Sequence, residues 1–360
     1  MKTLTLTLDS ASYPIMIDAG LMKGVAALLK KENLGGRYVI ISDSTVAKLY
    51  GTDLEQSMKK EGLDVSLLSF PAGEEHKHLK TYTALQEQLF ELGCDRSTTI
   101  IALGGGVVGD VAGFVAATYM RGIPVVQIPT TLLAMVDASI GGKTGVDLET
   151  GKNIVGVFHQ PRMVLIDPEV LGSLEADEIK NGLAECVKHG CIADVTLLDF
   201  IESKMDAFFA GNASVLAELI VRNCSIKVDV VMQDEKESGI RKMLNYGHTF
   251  GHALEVSRGY ATISHGAAIA LGMVVAARLS VSVGRLSKLE CDRQIALLER
   301  IGFKITLADD SVEDIIKLMK KDKKMIDGAL KFVLLERLGK VDLDVAVTDA
   351  DIAAVMRGMA

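Results

Sequence analysis

The sequence predicts an α/β domain built on a parallel sheet, followed by a mostly helical domain, and three observations carry that expectation. From Leu4 to about Ile166, short β-branched runs alternate with helical ones, the pattern of strands joined by crossover helices. From Ala176 to Ala360, apolar residues recur at helical spacing with few strand-like runs. At 360 residues the chain exceeds what one hydrophobic core serves, and 49% apolar composition suffices to fill two.

The expected strands, in order, are Leu4 to Leu8, Tyr13 to Ile17, Tyr38 to Ser42, Val65 to Phe70, Thr98 to Leu103, Pro124 to Ile128 and Met163 to Ile166. Helices fit between them at Val46 to Glu61, Tyr82 to Leu92 and Gly109 to Tyr119. Asp167-Pro168-Glu169 ends the last strand, because proline cannot continue a ladder. The domain boundary therefore falls at about Gly172, giving domains 1–172 and 173–360. Leu330 to Leu335, after the turn Asp327-Gly328, reads as a short strand within the second domain.

A net charge of −8 with 24% charged residues suits an enzyme and not a protein that coats phosphate backbones, so no nucleic-acid partner is expected. The five cysteines are scattered and odd in number, which reads as reduced thiols of a cytoplasmic protein. Met1 to Leu8 alternates threonine and leucine, a strand period rather than a signal peptide. Ala267 to Val283 falls short of the ~20 apolar residues of a membrane span and reads as a buried helix, so no membrane partner is expected.

Ile100 to Leu103 runs into Gly104-Gly105-Gly106-Val107-Val108-Gly109-Asp110, a strand, a glycine turn and a helix start. Gly104, Gly106 and Gly109 fit the dinucleotide spacing, in which glycines admit a pyrophosphate to the backbone N–H groups of the helix N-terminus. The next strand ends without an acid for the ribose. Asp43 and Glu74 are the alternatives, against the plain reading of a tight structural turn with solvated acids nearby. Asp137 to Thr144 ends like a triphosphate-binding loop, but Asp137 stands where that motif requires glycine, which excludes a Walker-type ATPase. Lys143, Lys152 and Asn153 remain as cations and an amide suited to an anionic substrate.

Imidazoles at His248 and His252, with a carboxylate at Glu255, share one helical face in Arg241 to Glu255, and His265 follows. Upstream, Asn181, Glu185 and Lys188 form one helical stripe. Imidazole and carboxylate are the ligands of a zinc-like ion, of which a catalytic site takes three. Any one histidine alone reads more simply as a packed core residue; the cluster favours metal. Spacing by itself makes His248 and His252 the ligand pair.

Gly104 to Asp110, Pro129-Thr130-Thr131, Asp137 to Thr144, Asn181 to His189 and Arg241 to Glu255 together resemble the 3-dehydroquinate synthases, in the right order over nearly the whole chain. The resemblance implies an N-terminal Rossmann-like NAD domain, a helical C-terminal domain, an active site in the cleft between them, zinc or cobalt, and a homodimer. The implied reaction converts 3-deoxy-D-arabino-heptulosonate 7-phosphate to 3-dehydroquinate and phosphate, with NAD regenerated in each turnover. Residue by residue, it implies Glu185, His248 and His265 as metal ligands and moves His252 to the substrate side, against the spacing argument. The implied cofactor contacts are Asp43, Glu74, Lys77, Gly105, Gly106, Val107, Asp110, Thr130, Thr131, Lys143 and Lys152, with Leu171, Gly172 and Ser173 on the ring side. The last three depart from the Thr-Leu-Pro-like segment usual in the family. The implied substrate contacts are Asp137, Lys143, Asn153, Lys188, Lys227, Arg241, Asn245, His252 and either Lys323 or Lys324. Arg121 matches an arginine that reaches the phosphate from the partner subunit.

Three rivals stand beside this reading: another sugar-phosphate cyclase, a metal-dependent polyol dehydrogenase of related fold, and a non-catalytic metal- and nucleotide-binding module. The carboxylate-binding set of Arg241, Asn245 and a lysine at 323 or 324 favours an acid substrate. The cations Lys143, Lys152 and Lys188 disfavour a passive module.

Overall fold

The structure, a computed structural model, describes residues 1–149, 151–259, 262–307, 310–322 and 330–359. It comprises two compact units: Met1–Glu175 with Gly211–Glu235, and Ala176–Ala210 with Lys236–Ala360.

The first unit holds strands β1 (Lys2–Thr7), β2 (Ser12–Ile17), β3 (Arg37–Asp43), β4 (Asp64–Phe70), β5 (Thr98–Gly104), β6 (Val125–Pro129), β7 (Lys143–Leu148), β8 (Gly151–Phe158) and β9 (Met163–Ile166). Seven of them form one sheet in the order β1-β2-β9-β6-β5-β3-β4. All its neighbours pair in parallel except β1 and β2, which are antiparallel. The sequence pattern predicted a parallel sheet throughout. The link from Leu8 to Ala11, closed by a 2.8 Å backbone hydrogen bond, is too short for a crossover and permits only a hairpin.

Both faces of the sheet are covered. Val39, Ile41, Ile100 and Ala102 pack with Leu85, Leu89, Val111 and Val115 of the helices Leu79–Glu91 and Gly106–Thr118. Their chain neighbours Tyr38, Ile40, Ile101 and Leu103 pack on the other side with Leu29, Leu54 and Met58. Strands buried on both faces need no polar alternation, which is why they read as apolar runs in the sequence. The expected helix Val46 to Glu61 is broken into Ser44–Val46, a π turn at Ala47–Gly51 and Thr52–Lys60.

Two further features of this unit differ from the sequence reading. The antiparallel pair β7 and β8 was not expected, because its glycines at 145, 151 and 156 and its largely exposed β8 lack a strand pattern. The helix Ala213–Gln233 packs against β1 and the turn Ala134–Ala138, so it belongs to the first unit rather than to a domain spanning 173–360. Helical periodicity shows that a face is buried but not which core receives it.

In the second unit the helix His265–Ser282 is central, contacting the helices His248–Arg258, Ala176–Ala193, Lys288–Ile301 and Asp349–Arg357. It is long and apolar enough, by length and composition alone, to cross a membrane, yet 72% of it is buried inside the protein. The expected strand at Leu330 is β10 (Leu330–Arg337), paired antiparallel with a further strand, β11 (Lys340–Val347).

Candidate active site

The glycine turn lies where an open α/β sheet builds ligand sites. From β3 the chain goes to β4 on one side and then to β5 on the other, so the strand order reverses between β3 and β5. Ligands of such sheets bind beyond the carboxyl ends of the strands at that point. There Asp43 ends β3, its carboxylate accepting from the N–H groups of Thr45 and Val46 at 2.8 and 3.0 Å. Gly104 ends β5, Gly105 caps the helix Gly106–Thr118, and Val107 and Asp110 lie in that helix. A side chain on Gly104 would meet Val108 at 2.5 Å, so only glycine permits this descent from strand to helix. Thr130, whose N–H donates to the Gly104 carbonyl at 2.9 Å, and Thr131 follow the end of β6.

A charged cluster lies in the same unit. Lys77, 5% exposed, donates to the Asp110 carboxylate at 2.6 Å and to Asn153 Oδ1 at 2.5 Å. Burial works against the Lys77 cation, but the charges of Asp110 and Glu74 outweigh it and raise its pKa. Lys152 pairs with Glu74 at 3.3 Å. Asp147, which no motif in the sequence marked, accepts from the Asn153 N–H at 2.7 Å, and burial raises its pKa. Its only sequence signal was the overlooked pair β7 and β8. Asn153 has a left-handed backbone, φ 55°. Lys227, from the helix Ala213–Gln233, pairs with the Asp137 carboxylate and donates to the Asp137 carbonyl at 2.6 Å.

Other predicted residues of this unit stand on their own elements. Lys143 is exposed at the start of β7, to which Asp137 to Thr144 leads; a triphosphate loop would instead open a helix. Leu171, Gly172 and Ser173 end a 3-10 turn, where the Tyr50 hydroxyl donates to Ser173 Oγ at 2.7 Å. Arg121 is exposed, with a left-handed φ of 70°.

In the second unit, Glu185, His248 and His265 each bring a donor atom within 4.8 Å of the others. Glu185 is fully buried in the helix Ala176–Ala193, and both histidine Nε2 atoms lie 3.5 Å from its Oε1. Lys188, one turn along and 1% exposed, pairs with the same carboxylate. The Nδ1 of His248 lies 3.2 Å from the Tyr246 carbonyl, which leaves Nε2 to act as the ligand nitrogen. Burial pushes the His248 pKa well below the ordinary imidazole value. Burial opposes the charge on His265 as well, but hydrogen bonds to Glu185 and Glu255 raise its pKa to about 9.

The supports of these residues are firm. Asn181 Oδ1 accepts from the Gly266 N–H, tying the start of the helix His265–Ser282 to the helix that carries Glu185. A side chain on Gly272 would meet the Gly247 carbonyl at 1.9 Å, so the turn that presents His248 lies directly on that central helix. The His252 ring stands 5.3 Å from that of His248 and 6.4 Å from that of His265, beside the three-donor group and not within it. Arg241, 1% exposed, and Asn245 lie on the 3-10 segment Ile240–Asn245, where Asn245 donates to Glu237, a carboxylate the sequence reading passed over. Lys323 and Lys324 lie outside the described residues.

One carboxylate and two imidazoles, drawn together around a fully buried glutamate, are the donor set of a divalent zinc-like ion with further positions open. The residues thus fit such an ion. Cysteine chemistry does not compete: all five thiols are buried, and burial pushes Cys224 up to about 12.

Comparison with known proteins adds the family. Sequence models described as 3-dehydroquinate synthase N-terminal and 3-dehydroquinate synthase C-terminal match residues 67–181 and 182–325. A 3-dehydroquinate synthase of Pelobacter propionicus is 44% identical over 339 residues, covering 94% of both chains. Among solved structures, 2-deoxy-scyllo-inosose synthase complexed with carbaglucose-6-phosphate, NAD+ and Co2+ superposes with a TM-score of 0.92 at 29% identity, covering 100% of each chain. The 2-epi-5-epi-valiolone synthase of Streptomyces hygroscopicus with NAD+ and Zn2+ bound gives 0.90 at 26% identity over 98% of each chain. With both halves matched and nearly its full length aligned, the chain belongs to the 3-dehydroquinate synthase family.

Proposed function

We infer that this chain carries out the reaction of its family, converting 3-deoxy-D-arabino-heptulosonate 7-phosphate to 3-dehydroquinate and phosphate. The full-length match to 3-dehydroquinate synthases carries this reading. The cyclases that superpose on the chain are less similar in sequence, at 29% and 26% identity. The cofactors are NAD and a divalent ion, zinc or cobalt, which supply transient alcohol oxidation and Lewis-acid polarisation of the substrate oxygen.

Glu185, His248 and His265 hold the ion. Gly105, Gly106, Val107, Thr130 and Thr131 approach the cofactor through the glycine turn, and Asp43 or Glu74 takes the ribose. Lys77, Asp110, Lys143 and Lys152 provide the adjoining charges, with Leu171, Gly172 and Ser173 toward the ring. Arg241, buried and donor-rich, Asn245 and one of Lys323 or Lys324 hold the substrate carboxylate. Asp137, Asn153, Lys188 and Lys227 orient the remaining groups. His252 hydrogen-bonds the phosphate or passes a proton through an imidazole nitrogen. Binding energy drawn from the carboxylate and phosphate orients the reacting carbons, so few residues need act as acids or bases.

The active form is a homodimer in the cytoplasm. Ile154, Val157 and Phe158, exposed along β8, supply apolar surface for association, and Arg121 completes the neighbour's phosphate site. Inactive Arg121→Ala and Lys143→Ala chains should then regain activity when mixed; no recovery in verified heterodimers refutes the shared site. The reaction itself is tested by phosphate release from the heptulosonate phosphate with trace NAD. A polyol dehydrogenase would instead accumulate NADH without releasing phosphate.

A further inference from the structure

His265 stands between two buried carboxylates. Its Nε2 lies 3.5 Å from Glu185 Oε1 and its Nδ1 lies 3.5 Å from Glu255 Oε1. Glu255 is 1% exposed and sits two helical turns after His248 on the same face of the helix His248–Arg258. The proposed chemistry gives it no role. We propose that Glu255 is a positioning residue that fixes which nitrogen of His265 meets the metal, an inference that rests on the ligand set proposed above.

The physical case is a matter of tautomers. A neutral imidazole carries one N–H, and the nitrogen left for a metal is decided by what the other nitrogen donates to. His248 donates from Nδ1 to a backbone carbonyl of its own turn, an acceptor that no side-chain substitution removes. His265 is the first residue of its helix, and the Nδ1 acceptor is a side chain from the neighbouring helix. Orientation of this one ligand therefore depends on a single removable group. A carboxylate in that place also makes the imidazole a stronger donor to the ion, and loss of such a partner typically weakens metal binding 10–100-fold. A merely structural Glu255 would be a buried anion neutralised by His265, supporting the helix contact whether or not metal is present.

The two roles separate in Co2+ binding by the full chain. Wild type, Glu255→Gln, Glu255→Ala and His265→Ala are stripped with chelator and titrated with Co2+ alone. Affinity, the visible spectrum of the bound ion, and melting temperature with and without Co2+ are recorded. Glu255→Ala should bind Co2+ about 10–100-fold more weakly. Glu255→Gln, which keeps the shape and an acceptor oxygen, should fall between it and wild type and carries the test if Glu255→Ala does not fold. Both should shift the Co2+ absorption bands and shrink the metal-induced rise in melting temperature. Wild-type affinity and spectrum in both variants overturn the proposal. So does a lowered metal-free melting temperature with an unchanged metal-induced rise, which marks a structural role. Equal Co2+ binding by wild type and His265→Ala overturns the ligand set beneath it instead.

Discussion

The raised pKa of His265 makes metal binding at the proposed ligand set a proton exchange, whose sign follows from that shift. Without metal, hydrogen bonds to Glu185 and Glu255 hold the imidazole protonated up to about pH 9. An ion entering between Glu185, His248 and His265 must displace that proton, so apparent affinity rises with pH and levels off above the His265 pKa. His248, held neutral by burial, contributes no proton and no slope. The logarithm of the Co2+ association constant should therefore climb with a slope near one. From pH 7 to pH 9 the gain is about 50-fold, since the curve already bends at the pKa, or about 2.3 kcal/mol at 1.36 kcal/mol per pH unit. Chelator competition at fixed ionic strength measures it, and calorimetry in buffers of different ionisation enthalpy counts the released proton. The same proton stabilises the metal-free fold, fully below the ordinary imidazole range, and that contribution is lost as pH rises toward about 9. An affinity that stays flat between neutrality and pH 9, or that falls with rising pH, refutes the reasoning.

Three further outcomes are expected. His248→Ala, His265→Ala and Glu185→Ala should purify metal-poor, whereas His252→Ala keeps near-stoichiometric metal and loses turnover; elemental analysis finding His252→Ala as depleted as His248→Ala reverses the ligand set. Gly272→Ala drives a methyl into the Gly247 carbonyl. It should cost about 1–3 kcal/mol in denaturant unfolding and weaken metal binding, because the turn bearing His248 must move. Asp110→Ala leaves Lys77 buried beside fewer acids, a loss of about 3 kcal/mol, and a melting temperature within a degree of wild type argues that Glu74 and Asp147 already compensate the lysine.

The sheet was legible because β3, β5 and β9 are buried on both faces and so appear as uninterrupted β-branched runs. The pair β7 and β8 was not, since its glycines and exposed positions carry no such run. β11 alternates valine and leucine with aspartate, a strand period, but it lies in a stretch read as helical. The glycine turn was visible in its spacing, though the reversal of strand order that makes it a ligand site is a property of three-dimensional order alone. The histidines show the same limit. Spacing reports that His248 and His252 share a helical face, and it is silent on which neighbouring helix brings Glu185 and His265 to that face. Asn181 and Glu255 were each seen on a helical stripe, but their partners lie across helices, where no sequence period reaches.

The placement of the helix Ala213–Gln233 bears on the order in which the protein is made. A ribosome that has released residues 1–175 has delivered every strand of the seven-stranded sheet, yet β1 still lacks the helix that packs against it. Leu216, Leu219 and Ile220, buried in the finished protein, arrive only after the helices Ala176–Ala193 and Val195–Phe209 have been synthesised. During that interval the surface of the sheet that the helix covers in the finished protein stands exposed to other chains, the hazard of a partly folded chain. A gene fragment ending at Gly172 would make that waiting state permanent, and the fragment should aggregate where the intact chain does not.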